Sequence, residues 1–447
     1  MRLTELGTGQ FVDWFRHAAP YINAHRGRTF VVAFPGEALR PPAVEGLVRD
    51  IAVLASLGVG LVLVPGARAQ VEARLAERGL APRYAEGGEG LRLTDAAALE
   101  CVKEAVGEVR TELEARLSTG VAASPMAGLR LRVVSGNVIT ARPVGVRGGV
   151  DHLYTGEVRR VDVAALRHRL DGGDIALVSP LGYSPTGETF NLAAEAVARA
   201  VAEALDADKL IYLSGSAPLH GTDGRPVREL TPREARQRLE APAGGALDAA
   251  ERRLLRNACA ACTAGVRRVH LLDRGQDGAL LLELFTRDGV GTLVAPEPFE
   301  SLRTAEIDDI PGILALIRPL EASGALVHRS QELLEEEIGY FSVAERDGAV
   351  IATAALLPWP GEGAGEIACL AVDPDYQNAG RAAALVDRLE RRARRQGLER
   401  LFVLTTRAEH WFRERGFEPA GSPALPAERR ALYDATRGSK VLVKRIG

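Results

Sequence analysis

Between Thr29 and Phe285 the chain alternates β-branched runs with helix-length stretches, and this alternation narrows the fold more than any other feature. The runs are "TFVVAF", "LVLVP", "LRVV", "DIALVSP", "KLIYLSG" and "RVHLL". Strands joined by crossovers of about a dozen residues or more can pair in parallel, and helices are the usual crossover. Continuous rather than alternating apolar runs are what a sheet covered on both faces requires. The segment therefore predicts an α/β domain with a largely parallel sheet and helices on both faces. One helix is especially well marked. In "SPTGETFNLAAEAVARAVAEAL" turn residues run up to Asn191, and apolar positions then recur at helical spacing to Leu205.

The pattern breaks at "FTRDGVGTLVAPEPFESLRTAEI", where Gly289, Gly291, Pro296 and Pro298 crowd a short stretch. We place a first domain at 1–292, a connector at 293–300 and a second domain at 301–447. The second has a different order: a strand at Leu302–Ile307, a helix capped by Asp308-Asp309, and an antiparallel pair, "YFSVAER" and "AVIATAALLPW", around Asp347-Gly348. Then follow the strand "GEIACLAV", a helix from Gly380 to Arg395, the strand "LFVLTT", the short helix "EHWFRERG" and a last strand, "SKVLVKRI". This is a mixed α+β arrangement.

The totals exclude several classes. A chain of 447 residues is too long for one core of ordinary size, and a formal charge of −3 lacks the basic footprint of a nucleic-acid binder. The first fifteen residues have no apolar core of the secretory kind, so the expected location is the cytoplasm. The longest apolar run, Ala52 to Pro65, falls short of the ~18 residues a membrane helix needs and contains Gly58-Val-Gly60. Cys101, Cys259, Cys262 and Cys369 form no disulfide framework, and the "CAAC" pair lies in an apolar helical pattern without a second ligand pair, so no metal is expected.

The stretch "LAVDPDYQNAGRAA" carries the first chemical signal. A strand ends, a turn opens at Asp373-Pro374, and a helix begins on small residues, Gly380, Ala382 and Ala383. The N–H groups of a helix start lack intrahelical partners and the dipole favours negative charge, so a phosphate can be held there if side chains keep out of the way. In its setting of strand, turn, loop, long helix, strand and "WFRERGF", the segment resembles the GNAT acetyltransferases. Their Q/R-x-x-G-x-G/A motif is matched by Gln377, Gly380 and Ala382. The resemblance implies that Leu370, Ala371, Val372, Gln377, Gly380, Arg381 and Ala382 bind acetyl-CoA as cosubstrate. It also implies that an N–H near Ala371 or Val372 receives the thioester oxygen as charge develops on it. An acceptor amine with a pKa near ~8 is mostly protonated at neutral pH, so a base is needed. Glu366 is the candidate, against the alternative of an ordinary strand carboxylate. Where many of these enzymes place an acidic Tyr, this chain has Phe412, and Tyr433 is the substitute to be tested.

The first domain resembles the amino-acid kinase fold, nearest to N-acetylglutamate kinase, through "VVSGN", "TGEVRRVD", "KLIYLSG" and "ALLLELFTRDGVGT". A kinase needs cations and glycine-rich backbone around the phosphates. This chain instead has Ala33 and Pro35 after the first strand and Pro65-Gly66-Ala67-Arg68 after the second, so phosphoryl transfer is not expected. A three-layer kinase-like domain without kinase chemistry, followed by an α+β GNAT domain, is similar to the bacterial N-acetylglutamate synthases. "WFRHAAPYINAHRGRTFVV", "IRPLEASG" and "LFVLTTRAEHWFRERGF" extend the likeness along the chain. The resemblance implies acetyl transfer to the α-amino group of L-glutamate by direct attack, as the first step of arginine biosynthesis. Glutamate would be bound by Arg329, Cys369, Arg437 and Ser439, with Lys440 nearby, and Cys369 and Ala371 would join Glu366 around the reacting atoms. It implies feedback inhibition by L-arginine at Tyr21, Lys209, Glu283 and Gly289, and a homo-oligomer, a hexamer in this family, for which the amphipathic helix Gly9–Ala24 suits a subunit contact. Two other readings stay open: an active kinase with an accessory acetyltransferase module, and a non-catalytic arginine and CoA sensor.

Overall fold

The structure is a computed structural model and describes residues 8–85, 90–118, 129, 131–215, 217–221, 224–241, 247–296, 300–346, 348–377 and 380–446. Asp347, Asn378 and Ala379, named above in a turn and in the phosphate-type loop, lie outside the described residues, as do positions 297–299 of the expected connector. The chain divides into two compact units, Met1–Pro298 and Phe299–Gly447.

The first unit is built on an eight-stranded sheet. Its order is Glu229–Leu230, Thr292–Val294, Arg268–Asp273, Lys209–Ser214, Thr29–Phe34, Gly60–Pro65, Ile175–Leu177, Val133–Ser135. Every neighbouring pair is parallel except Arg268–Asp273 against Thr292–Val294. Burial on both faces explains the continuous apolar runs. Phe30, Val32 and Phe34 enter one core cluster, while Val31 and Ala33 enter the cluster on the opposite face. Because Thr292–Val294 pairs in this sheet, positions 293 and 294 are strand rather than the connector expected there. The helix read from "NLAAEAV" runs Ala194–Leu205, preceded by a short strand Thr189–Asn191 in a second, four-stranded sheet.

The second unit is a seven-stranded sheet in the order Glu300–Thr304, Phe341–Arg346, Ala349–Trp359, Ala364–Val372, Arg400–Thr405, Lys440–Arg445, Glu418–Ala420. Glu300 already pairs with Arg346, so the second sheet starts inside the expected connector and its first strand stops at Thr304 rather than Ile307. Residues Ile307–Asp309 form a 3₁₀ turn with a capping box that leads into the helix Ile310–Ala322. The helix Arg381–Arg395 covers one face of the sheet through Leu385, Val386 and Leu389, all essentially inaccessible. Each such side chain contributes about 2 kcal/mol by leaving water.

Candidate functional site

Two parallel strands of the second unit separate part-way along their length. Ala364–Val372 pairs with Arg400–Thr405 from Ala364↔Arg400 to Ile367↔Val403, and the pairing then stops. Along its other edge the same strand stays paired with Ala349–Trp359 as far as Val372. The segment Ala368–Val372 therefore presents one backbone edge without a strand partner among the described residues. An extended chain with amide groups could add to that edge by main-chain hydrogen bonds.

A bulge lies at this point. Ala355 faces Ala368 and Thr353 faces Ala371, so three steps on one strand match two on the other. Cys369 takes up the extra residue with φ +50°, a left-handed conformation uncommon for a side chain-bearing residue. The bulge re-phases the strand. Ahead of it Ile367 packs toward the Arg381–Arg395 helix and Ala368 toward the Ile310–Ala322 helix; beyond it Leu370 packs toward the former and Cys369 and Ala371 toward the latter. Glu366 stands opposite Leu357, which packs into that second cluster. Glu366 and Cys369 thus share a face, whereas residues three apart on a regular strand point to opposite faces.

The Arg329 guanidinium acts electrostatically on the Cys369 thiol. Burial pushes this thiol up to about 11 in spite of Arg329, which acts in the other direction. It is therefore protonated at neutral pH and a weak nucleophile. Arg329 is also paired with Glu337, and its own N–H donates to Glu321 Oε1 at 3.0 Å. Arg437 reaches the same loop, its Nη2 donating to Gly324 O at 3.0 Å. Ser439 is buried and its carbonyl accepts the Tyr433 hydroxyl at 2.8 Å, while Lys440 is paired with Glu409. The structure thus brings Arg329, Cys369 and Arg437 around one loop, with Ser439 at the start of the adjoining strand.

Glu366 has a partner that the sequence did not suggest. Arg429, from the short helix Ala427–Ala431, donates Nε to Oε2 at 2.6 Å and Nη2 to Oε1 at 3.0 Å. A carboxylate offers about four lone-pair sites, so two remain for another proton donor. Phe412 is core, edge-on to Trp411 at 4.9 Å and to Phe417 at 5.4 Å.

At the phosphate-type loop Gly380 caps the helix Arg381–Arg395 with φ +80°, which explains a glycine there although a Cβ would meet nothing within 4 Å. No acidic residue stands in the first helical turn. Gln377 Nε2 donates to Val372 O at 3.3 Å. The side chain of Arg381 is tied inward. Its Nε and Nη2 donate to Glu300 at 2.7–3.0 Å and its Nη1 donates to Tyr376 O at 3.0 Å, which leaves its backbone N–H at the start of the helix.

In the first unit Tyr21, Lys209, Glu283 and Gly289 converge, joined by two histidines absent from the sequence reading. Tyr21 and His25 have ring centroids 6.4 Å apart, His25 packs edge-on to Phe30 at 5.2 Å, and Lys209 Nζ lies 5.7 Å over the Phe30 ring. Burial and then Lys209 bring His25 down to about 4 and hold His270 below its ordinary value. Neutral His270 donates from Nδ1 to Glu283 Oε1 at 2.6 Å. Burial alone would raise Glu283, but this bond and the N–H groups of Gly291 and Val290 take it to about 2. A Cβ on Gly289 would lie 2.3 Å from Glu283 Oε2 at φ +61°, so glycine is required by space and by conformation. Nothing in the spacing of His25 and His270 along the chain marks them as neighbours.

The turns after the first two strands are closed on each other. Gly66 N donates to Phe34 O at 2.7 Å, and Gln70 covers Gly36, donating Nε2 to Gly36 O at 2.9 Å.

Residues 28–273 match the amino acid kinase family and residues 311–417 the acetyltransferase (GNAT) family. The amino-acid acetyltransferase of Azotobacter vinelandii is 55% identical over 98% of this chain and 99% of its own length, and that of Pseudomonas putida 54% over 97% and 99%. The chain belongs to the amino-acid acetyltransferases. A crystal structure of N-acetylglutamate synthase from Neisseria gonorrhoeae, complexed with coenzyme A and L-arginine, is similar with a TM-score of 0.84 and 43% identity over 97% of this chain and 99% of that one. The same enzyme complexed with coenzyme A and N-acetylglutamate is similar with a TM-score of 0.62 over 98% and 99%. As a member of this family the chain is an enzyme that uses acetyl-CoA as cosubstrate, on an amino-acid kinase domain followed by a GNAT domain. Among the described residues no helix is long and apolar enough to cross a membrane, and no His, Cys, Asp and Glu cluster could hold a metal ion.

Proposed function

We propose that this enzyme acetylates the α-amino group of L-glutamate, giving N-acetyl-L-glutamate and CoA, and that L-arginine inhibits it. The observation that carries the reading is the common face of Glu366 and Cys369 beside Arg329, at the unpaired strand edge. The pyrophosphate of acetyl-CoA lies at the N–H groups of Arg381 and Ala382, between Gln377 and Gly380, and the pantetheine follows the edge of Leu370, Ala371 and Val372. Arg329 and Arg437 take the two carboxylates of glutamate, whose planar geometry guanidinium groups match, with Ser439 beside them.

Glu366, steadied by Arg429, accepts a proton from the substrate ammonium. The neutral amine then attacks the thioester carbonyl, and an N–H near Ala371 or Val372 receives the developing oxyanion. Collapse breaks the C–S bond, the CoA sulfur leaving as thiolate, and the second amine proton passes to solvent as the amide forms. A thiol of ordinary pKa near ~8.5 is a sufficiently stable leaving group to take its proton from solvent, so the absence of a hydroxyl at Phe412 is no obstacle. The neutral Cys369 thiol suits positioning of substrate rather than acyl transfer through a cysteine.

Tyr21, Lys209, Glu283 and Gly289 offer an arginine ligand a carboxylate and carbonyl oxygens for its guanidinium and a cation for its carboxylate. Exposed Phe11, Trp14 and Phe15 on the helix Thr8–His25 suit a homo-oligomeric contact, for which the family resemblance implies a hexamer, in the cytoplasm. Incubation with acetyl-CoA and a panel of amino acids, with and without ATP, tests the reading by following free thiol and ADP. Glutamate-dependent thiol release, reduced by arginine, is expected. ADP release dependent on N-acetylglutamate would favour a kinase instead.

A further inference from the structure

The antiparallel pairing of Arg400–Thr405 with Lys440–Arg445 brings two arginines to one place in the second unit. Thr405 faces Lys440, so the chain leaves the first strand and enters the second side by side. Arg407 follows the end of the first strand and Arg437 precedes the start of the second. This end of Arg400–Thr405 is also the one that has parted from Ala364–Val372 beyond Val403, so Arg407 borders the opening left there. The Thr405 hydroxyl accepts the backbone N–H groups of Arg407 at 3.3 Å and Ala408 at 2.9 Å, which fixes the turn.

The two side chains reach consecutive carbonyls. Arg407 Nη2 donates to Ser323 O at 3.4 Å and Arg437 Nη2 to Gly324 O at 3.0 Å. Both carbonyls directly follow the helix Ile310–Ala322, at the negative pole of its dipole. Glu321 stands in the last turn of that helix, where the dipole disfavours an acid, yet its side chain is only 8% exposed. Its Oε1 accepts the Arg329 N–H at 3.0 Å and its Oε2 bonds His328 Nδ1 at 3.0 Å. One helix end thus gathers Arg329, Arg407 and Arg437. Arg329 is paired with Glu337, whereas neither Arg407 nor Arg437 has a carboxylate at ion-pair distance among the described residues. Asp434, close to Arg437 in the chain, is turned to Thr436, accepting its N–H at 2.8 Å and its hydroxyl at 2.6 Å.

A guanidinium carries five N–H donors, and each of these two side chains commits one. Two like charges held on neighbouring carbonyls repel, and an anion that both can bond relieves the repulsion. A carboxylate has lone pairs enough for two guanidinium groups. Arg329 acts on Cys369 and so stands toward the reacting centre, which leaves Arg407 and Arg437 together for the carboxylate at the other end of a dicarboxylic acceptor. Resting on the reading that glutamate is the acceptor, we propose that Arg407 joins Arg437 on one of its carboxylates, so that three guanidinium groups rather than two bind this substrate.

Initial rates of the full chain, with L-glutamate varied at saturating acetyl-CoA and then the reverse, test this in the wild type, Arg407→Met and Arg407→Lys. Arg407→Met should raise the KM for glutamate by at least about tenfold, as loss of a charged hydrogen bond does, and change the KM for acetyl-CoA by less than about twofold. Arg407→Lys keeps the charge without the planar fork and should fall between the two, and it serves alone should Arg407→Met fold poorly. Arg392→Met removes an arginine that likewise bonds a carbonyl, Gly339 O at 2.7 Å, and should leave both KM values as in the wild type. If Arg407 only capped the helix end, its loss would lower the melting temperature without a selective effect on glutamate. A glutamate KM unchanged in the folded Arg407 variant, or a rise matched by the KM for acetyl-CoA, would overturn the proposal while leaving glutamate as the acceptor. No turnover of glutamate by the wild type would overturn that reading and this inference together.

Discussion

Glu366 and Cys369 share one face of a strand because Cys369, with φ +50°, is the extra residue of a bulge that shifts the alternation by one. A β-branched residue at that φ is strained, at a cost of about 1–3 kcal/mol, whereas glycine is not. We expect Cys369→Val to lower both the melting temperature and kcat/KM for glutamate, and Cys369→Gly to retain the melting temperature of the wild type or exceed it. Equal behaviour of the two variants in thermal unfolding would show that the bulge does not depend on this conformation.

The thiol at this position, pushed up to about 11 by burial, predicts direct transfer. Cys369→Ala should keep turnover, and initial-rate lines for varied glutamate at several acetyl-CoA concentrations should intersect. Parallel lines, the pattern of a covalent acyl-enzyme, would contradict the mechanism.

Arg429 holds both oxygens of Glu366. Glu366→Gln should lower kcat by about 10²–10⁴-fold, the contribution of a positioned base, with little change in the KM for acetyl-CoA. Arg429→Met removes the group that orients the carboxylate and should lower kcat as well, with the KM for acetyl-CoA near that of the wild type. A Glu366→Gln variant with the kcat of the wild type would remove Glu366 from the base role.

Much of this was legible in the chain. The apolar runs predicted the parallel sheet because burial on both faces demands them, and "AVIATAALLPW" matched its strand, Ala349–Trp359, residue for residue. The convergence of Arg329, Cys369 and Arg437 followed from family likeness and from no local pattern. Arg429 was hidden because an arginine among many arginines carries no signal until folding sets it 63 positions away against Glu366. The bulge was hidden because Cys369 has none of the usual marks of positive φ. The turn of the Arg381 side chain to Glu300, 81 positions away along the chain, was hidden for the same reason as Arg429.

In the first unit, Gly289→Ala would drive a Cβ against Glu283 Oε2. We expect the arginine concentration for half-inhibition to rise at least about tenfold, with uninhibited turnover retained. Unchanged sensitivity would place arginine elsewhere.

Asp50 makes a prediction about stability. Burial first, and then Asp277, raise it from 3.8 to about 7. The folded state therefore favours the protonated carboxyl, a benefit complete below pH ~4 and lost as pH rises to ~7, amounting to at most about 4 kcal/mol. Asp50→Asn should raise the melting temperature at about pH 8 and change it little near pH 4. A larger gain in acid than in base would reverse the sign and contradict the assignment.

The most direct test of the central claim is mass spectrometry of the product formed from deuterated acetyl-CoA and L-glutamate by the full chain. N-acetyl-L-glutamate carrying the labelled acetyl group on nitrogen, formed in step with free CoA, is the expected product. Release of CoA without labelled N-acetylglutamate, or no turnover of glutamate at all, would contradict it.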